Sequence, residues 1–134
     1  MSDVTTLADL YVALWNEPDA AVRRTLVERL WAVGGTHVIQ PPRESRARAT
    51  ELGLTAVFET RGHEAITERA ARAYREFVEP GEYVFRQRGE AVRLHDVVLL
   101  GWDMVPAAGG EAVGGGQDFL VLDGADRIIS DYQF

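Results

Sequence analysis

The sequence predicts an α+β fold in a single domain spanning residues 1–134. Three observations carry this. Apolar residues recur at helical spacing in stretches of the first 78 residues. After Gly81 the chain becomes a series of β-prone runs parted by short turn compositions. Helices come first and strands later, which is the order of α+β chains and not of alternating α/β ones.

The elements follow in order. Val4, Leu7, Leu10, Tyr11, Leu14 and Trp15 form the stripe of a first helix, with Thr5 or Thr6 as its cap and Asp9 early, where the helix dipole favours a carboxylate. Asn16-Glu17-Pro18-Asp19 ends it, and Asp19 can cap a second helix striped by Val22, Leu26, Val27 and Leu30. Gly34-Gly35 reads as the glycine C-cap of that helix. Thr36–Gln40 is a short β-prone run stopped by Pro41-Pro42. Residues 43–53 fit a short polar helix or a solvated loop equally well. Leu54–Thr60 is β-prone. Gly62 precedes a third helix from His63 to about Val78, with Ile66, Ala70, Ala73 or Tyr74, and Phe77 on one face, and Pro80-Gly81 stops it. The β-rich runs are Tyr83–Arg88, Val92–Val105, Glu111–Leu122 and Arg127–Phe134. Short turns at Gly89-Glu90, Pro106–Gly110 and Asp123–Asp126 predict an antiparallel meander.

Composition narrows the function. With 46% apolar and 26% charged residues the chain is ordinarily globular, and at this length about two thirds of its unfolded surface should be buried. It has no cysteine, which excludes disulfides, thiolate nucleophiles and cysteine-ligated metals. A net charge of −7 argues against nucleic acid and anionic membrane surfaces as partners. No apolar stretch approaches the ~20 residues of a membrane helix. The opening MSDVTTLADL has no basic or apolar signal region, so a soluble cytoplasmic protein is expected.

Few residues point to chemistry. Gly114-Gly115-Gly116 is no phosphate loop, since no Lys-Ser/Thr follows and it leads into a strand; it reads as a bulge or tight bend. His37, His63 and His95 form no metal spacing and read as surface or capping residues, so no metal is expected. Asp118 is the strongest candidate. It alternates in phase with Leu120 and Leu122, and a carboxyl buried among them would have its pKa raised, making it a hydrogen-bond donor or general acid near neutral pH. Its alternatives are a solvated edge or an arginine partner. Tyr11, on the first apolar stripe, either packs in the core or points its hydroxyl into a cavity. Trp15, Tyr74, Trp102, Phe119 and Phe134 are candidates for core or pocket walls.

The layout resembles the nuclear transport factor 2-like (NTF2-like) superfamily, which includes ketosteroid isomerases, SnoaL-like polyketide cyclases and limonene-epoxide hydrolases. The resemblance runs over nearly the whole chain. It rests on Leu10-Tyr11-Val12-Ala13-Leu14-Trp15-Asn16 with Asp19, on Val38-Ile39-Gln40-Pro41, and on Gly62-His63-Glu64-Ala65-Ile66. Toward the end it rests on Gln117-Asp118-Phe119-Leu120-Val121-Leu122, Asp126-Arg127-Ile128 and Tyr132-Gln133-Phe134. It implies a cone of three or so N-terminal helices packed in a strongly curved antiparallel sheet, with an apolar pocket inside and homodimers common. Tyr11 matches the tyrosine that donates to the substrate oxyanion in the isomerases, and Asp118 their protonated aspartic acid, a pair that is itself the standard example of a carboxylic acid kept neutral. The position of the isomerases' aspartate base holds Gln40, which cannot take a proton at neutral pH; this departs from ketosteroid isomerisation. For the hydrolases' Asp-Arg-Asp constellation, Asp103 and Arg93 are the available residues.

The first functional reading is therefore an enzyme without cofactor, of isomerase, cyclase or hydrolase type, acting on an apolar carbonyl or epoxide compound. Asp118 and Tyr11 would be its catalytic residues, and Trp15, Gln40, Tyr74 and Trp102 would bind substrate. The second is a non-catalytic small-molecule binding or accessory module with the same pocket, and the third is a protein–protein adaptor.

Overall fold

The computed structural model describes residues 3–54 and 58–134. Helix α1 (Val4–Asn16) starts at Asp3, whose carboxylate accepts the Thr6 amide at 2.8 Å. The expected caps Thr5 and Thr6 lie inside the helix, because the aspartate ahead of them already satisfies a free amide of the first turn. Helix α2 (Ala20–Leu30) is capped by Asp19, which accepts from Ala21 and Val22.

Helix α2 stops at Leu30, and Trp31 opens strand β1 (Trp31–Ile39). Gly34-Gly35 is therefore not a helix cap but part of a strand irregularity. From Trp31↔Ile128 to Thr36↔Ser130, β1 takes five steps while its neighbour takes two. Gly34 supplies φ +76°, and a Cβ on Gly35 would lie 2.7 Å from the Ile128 carbonyl oxygen, so glycine is required at both positions. Residues 43–51 form helix α3 (Arg43–Glu51), which buries none of its side chains. That resolves the helix-or-loop alternative toward helix and makes four helices where about three were expected. Strand β2 (Phe58–Arg61) covers the end of the β-prone run from Leu54; residues 55–57 of that run lie outside the described residues.

Helix α4 (His63–Ala73) continues into a π-helical turn, Tyr74–Val78, closed by the Glu79 amide donating to the Tyr74 carbonyl at 2.8 Å. Strand β3 (Tyr83–Leu94) runs through Gly89-Glu90, which was expected to be a turn. Gly89 at φ +67° instead takes up a register shift between Arg88 and Val92. The hairpin turn falls at His95-Asp96, with His95 at φ +54°, so His95 shapes a turn instead of entering a strand. Strands β4 (Val97–Pro106), β5 (Gly114–Leu122) and β6 (Ile128–Gln133) complete the sheet.

The sheet is curved, six-stranded and mixed, in the order β2-β1-β6-β5-β4-β3. Four neighbour pairs are antiparallel, but β1 and β6 run parallel. They lie far apart in sequence, so no tight turn dictates their direction. Helix α1 packs on β3 and β4, α4 on β1 and β2, and α2 on α1 and α4. The core between these layers includes Leu14, Val27, Leu30, Trp31, Ile66, Leu100, Leu120 and Ile128. Each fully buried aliphatic side chain contributes about 1.5–3 kcal/mol. No helix among the described residues is long and apolar enough to cross a membrane.

Candidate active site

Strand register gathers the polar side chains onto one inner face. His37 of β1 stands beside Asp131 of β6, Asp131 beside Leu120, and Asp118 of β5 beside Gln133. Asp118 and Asp131 are thus diagonal neighbours, and Trp102, opposite Gly116, is diagonal to Asp118. Such pairs lie ~7–8 Å apart along the backbone, within reach of long or aromatic side chains.

Asp131 reaches this face through a bulge. Leu122 pairs with Ile128, but Val121 pairs with Ser130, leaving Ile129 as an extra residue. Ile128 and Asp131 consequently both point inward and are fully buried, while Ile129 is 43% exposed. The glycine run, by contrast, pairs regularly with Met104, Asp103 and Trp102 and contains no bulge. It provides close approach. A Cβ on Gly116 would lie 2.9 Å from Trp102 Cζ2, and one on Gly115 would lie 2.8 Å from Asp103 Oδ1. Glycine here lets the Trp102 indole lie flat enough to reach Asp118. On the helix side, the Asn16 amide donates to the Phe85 carbonyl at 2.7 Å and accepts the Phe85 amide at 2.8 Å. This pins α1 along β3 and sets the depth at which Tyr11 enters.

The Tyr11 hydroxyl oxygen lies 2.8 Å from Asp118 Oδ2 and 2.6 Å from Asp131 Oδ2. A single O–H can donate only once, so the second contact requires a proton on a carboxyl. Asp131 holds it: full burial and the neighbouring Asp118 charge keep its pKa well above the usual carboxylate range. The resulting line of donors runs from the Asp131 acid to Tyr11 Oη, and from the Tyr11 O–H to the Asp118 carboxylate. Trp102 Nε1–H donates to the other Asp118 oxygen at 2.8 Å. Burial raises Asp118 as well, offset in part by the donors around it, Asp131, Tyr11 and Trp102. Burial and the two carboxyls push Tyr11 well above its ordinary value, so it remains a phenol.

His37 continues the line. It is buried, with Nε2 2.9 Å from Gln133 Oε1 and 3.6 Å from Asp131 Oδ2. Arg69 Nη1 donates to the His37 carbonyl at 3.0 Å and faces His37 Nδ1 at 3.3 Å. A donor at Nδ1 places the imidazole proton on Nε2, facing Gln133. Burial lowers the His37 pKa to about 4, the Gln133 hydrogen bond opposing and the Arg69 charge assisting, so the ring is neutral at physiological pH. Ligand-type atoms of His37, Asp118 and Asp131 lie within 4.8 Å of one another. The point between the two carboxyls, however, is taken by the Tyr11 hydroxyl, and this donor set is organised around shared protons. Asp131 Oδ1 is buried without a hydrogen-bond partner among the described residues.

Beside this line lies a cavity of about 270 Å³. Its walls are mostly apolar, from Val12, Trp15, Ile39, Ala73, Phe77, Phe85 and Met104, with polar groups from Tyr11, His37, Arg69, Trp102 and Gln133. Small-molecule sites have this composition, an apolar body with a few converging polar groups.

The structure thus brings Tyr11, Trp15 and Trp102 to the cavity. Asp118 does not line it; the carboxyl stands behind Tyr11 and Trp102 with no exposure. Gln40 is not in the site. Strand pleating turns His37 and Ile39 inward and Gln40 outward, onto a shallow depression with Pro41, Arg46 and Phe134. Tyr74 is also elsewhere: Arg69, Ala73 and Phe77, four apart, face the cavity, while the Tyr74 ring lies under the Arg23 guanidinium at 4.8 Å. Asp103 and Arg93 form no constellation, since Asp103 pairs with Arg88 at 2.8 Å and Arg93 with Asp126 at 3.0 Å. Asp131, His37, Arg69 and Gln133 were missed from sequence. Alternation with Ile39 could have found His37, which is buried where a surface role was expected. For Asp131 the bulge at Ile129 hides the phase.

No protein-family model matches the sequence, and no curated protein does. Solved structures do. A presumed isomerase of the SnoaL-like family from Agrobacterium tumefaciens shares 27% identity over 100% of this chain and 97% of its own, with a TM-score of 0.78. A SnoaL-like protein of unknown function from Burkholderia thailandensis shares 13% identity over 99% and 98%, with a TM-score of 0.61. An NTF2-like protein of unknown function from Exiguobacterium shares 16% over 95% of each chain, also at 0.61. This chain, then, has the fold of SnoaL-like and NTF2-like proteins, and its likeness to them extends through its full length.

Proposed function

We propose that this chain is an acid/base enzyme of the isomerase or cyclase kind, binding an apolar small molecule with a carbonyl group and moving protons on it through Tyr11. The observation that carries this reading is Tyr11, which lines a mostly apolar cavity and whose hydroxyl lies within 2.8 Å of two buried carboxyls. Chemistry through a lysine Schiff base or a cysteine thiolate is closed to a chain that has neither residue.

The proton count balances. When a substrate C–H gives its proton to Tyr11 Oη, the tyrosine's own proton passes to the Asp118 carboxylate. When the substrate oxygen or carbon takes a proton from Tyr11, the Asp131 acid replaces it. One turnover of an isomerisation leaves the substrate's composition unchanged and the two aspartates with their roles exchanged. Tyr11 touches the substrate; Asp118 stores and Asp131 supplies the proton behind it. Acid/base assistance of this kind contributes ~10²–10⁴-fold. The test is deuterium exchange into apolar ketones and enones in D2O, followed by NMR. Exchange or isomerisation by the wild type that falls ~10²-fold or more in Tyr11→Phe and Asp118→Asn supports the reading, and equal rates in Asp118→Asn would sink it.

A non-catalytic binding module is favoured by one observation: neither carboxyl itself lines the cavity. A ligand co-purified with the protein and released without chemical change or exchange would select that reading.

A further inference from the structure

Arg69 is the one charged residue lining this mostly apolar cavity among the described residues. It projects from α4, half-buried, and its neighbours three and four residues away on that helix are Ala65, Ile66, Arg72 and Ala73. No carboxylate lies within 4 Å of it among the described residues, in contrast to Arg48, Arg61, Arg88 and Arg93. The nearest acid along the polar line is Asp131, which is reached only through His37 and holds its proton. Both hydrogen bonds that Arg69 makes use Nη1, and both go to His37. The side of the guanidinium carrying Nε–H and Nη2–H has no protein acceptor among the described residues. Those two parallel donors have the spacing of a carboxylate's two oxygens. A half-buried cation costs desolvation energy unless a counter-charge arrives, and here burial and the nearby Arg72 charge outweigh what Asp131 returns.

We propose that the ligand of this cavity is an apolar carboxylic acid, bound as its carboxylate with both oxygens on the Nε–H and Nη2–H edge of Arg69 and its hydrophobic body among Trp15, Phe77, Phe85 and Trp102. This deepens the functional reading above and rests on it, since it names the substrate class of the same cavity. One guanidinium edge and apolar walls suit a planar monoanion; a phosphate dianion would require more positive charge than a single arginine provides. His37, held neutral, adds no competing charge and fixes the guanidinium from its other side.

The test uses matched pairs: phenylacetate, 4-phenylbutanoate and naphthalene-2-acetate, each beside its primary amide, titrated into the purified protein by tryptophan fluorescence and calorimetry. At least one acid should bind about tenfold or more tightly than its amide, the size of a charge-assisted bidentate contact. Arg69→Gln should bring that ratio to near one, and Arg69→Lys should keep part of it. Equal binding of acid and amide by the wild type overturns the inference while leaving the cavity a ligand site. A preference that survives in Arg69→Gln overturns it too. Failure of every acid and every amide to bind overturns both the inference and the functional reading. Should Arg69→Gln not fold, the wild-type ratio of acid to amide decides alone.

Discussion

The sheet and its β5–β6 turn carry two sets of aspartates, and they are handled in opposite ways. Asp103 and Asp126 lie toward solvent and are each met by an arginine, Arg88 at 2.8 Å and Arg93 at 3.0 Å. Asp118 and Asp131 lie on the inner face, fully buried, with no arginine within 4 Å among the described residues; they are met by a phenol, an indole and each other. In water a carboxylate loses little by staying charged, and a flexible cation is partner enough. Under the helices the charged form is expensive, so the inner pair retains a proton. All 14 basic residues of the chain are arginines, none of them spent on the inner pair, and that omission makes the inner carboxyls chemically adjustable.

Four variants test this contrast. The largest effect is expected from Asp118→Ala, which removes the Tyr11–Asp118 hydrogen bond and strands the Trp102 indole N–H. One lost hydrogen bond and one unsatisfied donor should cost about 2–4 kcal/mol in denaturant unfolding. A loss below that of the matching outer variant would erase the distinction between the two sets.

Next comes acid sensitivity through His37. Its folded pKa of about 4 is below its unfolded value near 6.5, so the unfolded chain binds more protons between these limits. Stability should therefore be flat above about pH 6.5 on this account and fall as pH drops toward 4, by on the order of 3 kcal/mol for this group. His37→Gln should flatten that limb of the curve; an unchanged limb would show that His37 is not its source.

Asp131 works in the reverse sense. Its raised pKa contributes stability that is complete at acid pH and is lost as pH rises past the unfolded carboxylate value. Asp131→Asn, which keeps an N–H donor for Tyr11 and has no charge to bury, should match the wild type within about 1 kcal/mol at pH 7 or exceed it. It should also remove the proton supply to Tyr11, so turnover should fall while stability holds. The smallest effect belongs to the solvent side: Asp103→Ala should cost under about 1 kcal/mol and less still in high salt.

Much of this was legible in sequence. The helical hairpin, the Asp19 cap and the helix from His63 follow from apolar spacing and capping chemistry, and all three are present in the structure. Asp118 stood out because β5 keeps a strict alternation from Asp118 to Leu122, and that face is the buried one. What escaped were the positions where alternation fails or direction is free. Glycines signalled bends, yet Gly89 lies within a strand, Gly34 within a bulge, and Gly116 serves an indole on the neighbouring strand. The parallel pairing of β1 with β6 joins segments about ninety residues apart in sequence and has no local signature. Gln40 follows the last inward residue of β1, and one step along a pleated strand reverses the face. Tyr74 misled because the helix tightness changes there, where a π-helical turn replaces the α-helical one.

Ile129 has a consequence for how proteins of this shape diversify. Because the one surplus residue sets the phase of everything after it, pairing the same sequence without the bulge, Ile129 opposite Val121 and Ser130 opposite Leu120, would turn Asp131 toward water and offer Ser130 to Tyr11 instead. A one-position slip in the pairing of the last strand would thereby silence the proton supply without changing any residue. Inheritance of chemistry along such a lineage is better traced by strand phase than by residue identity.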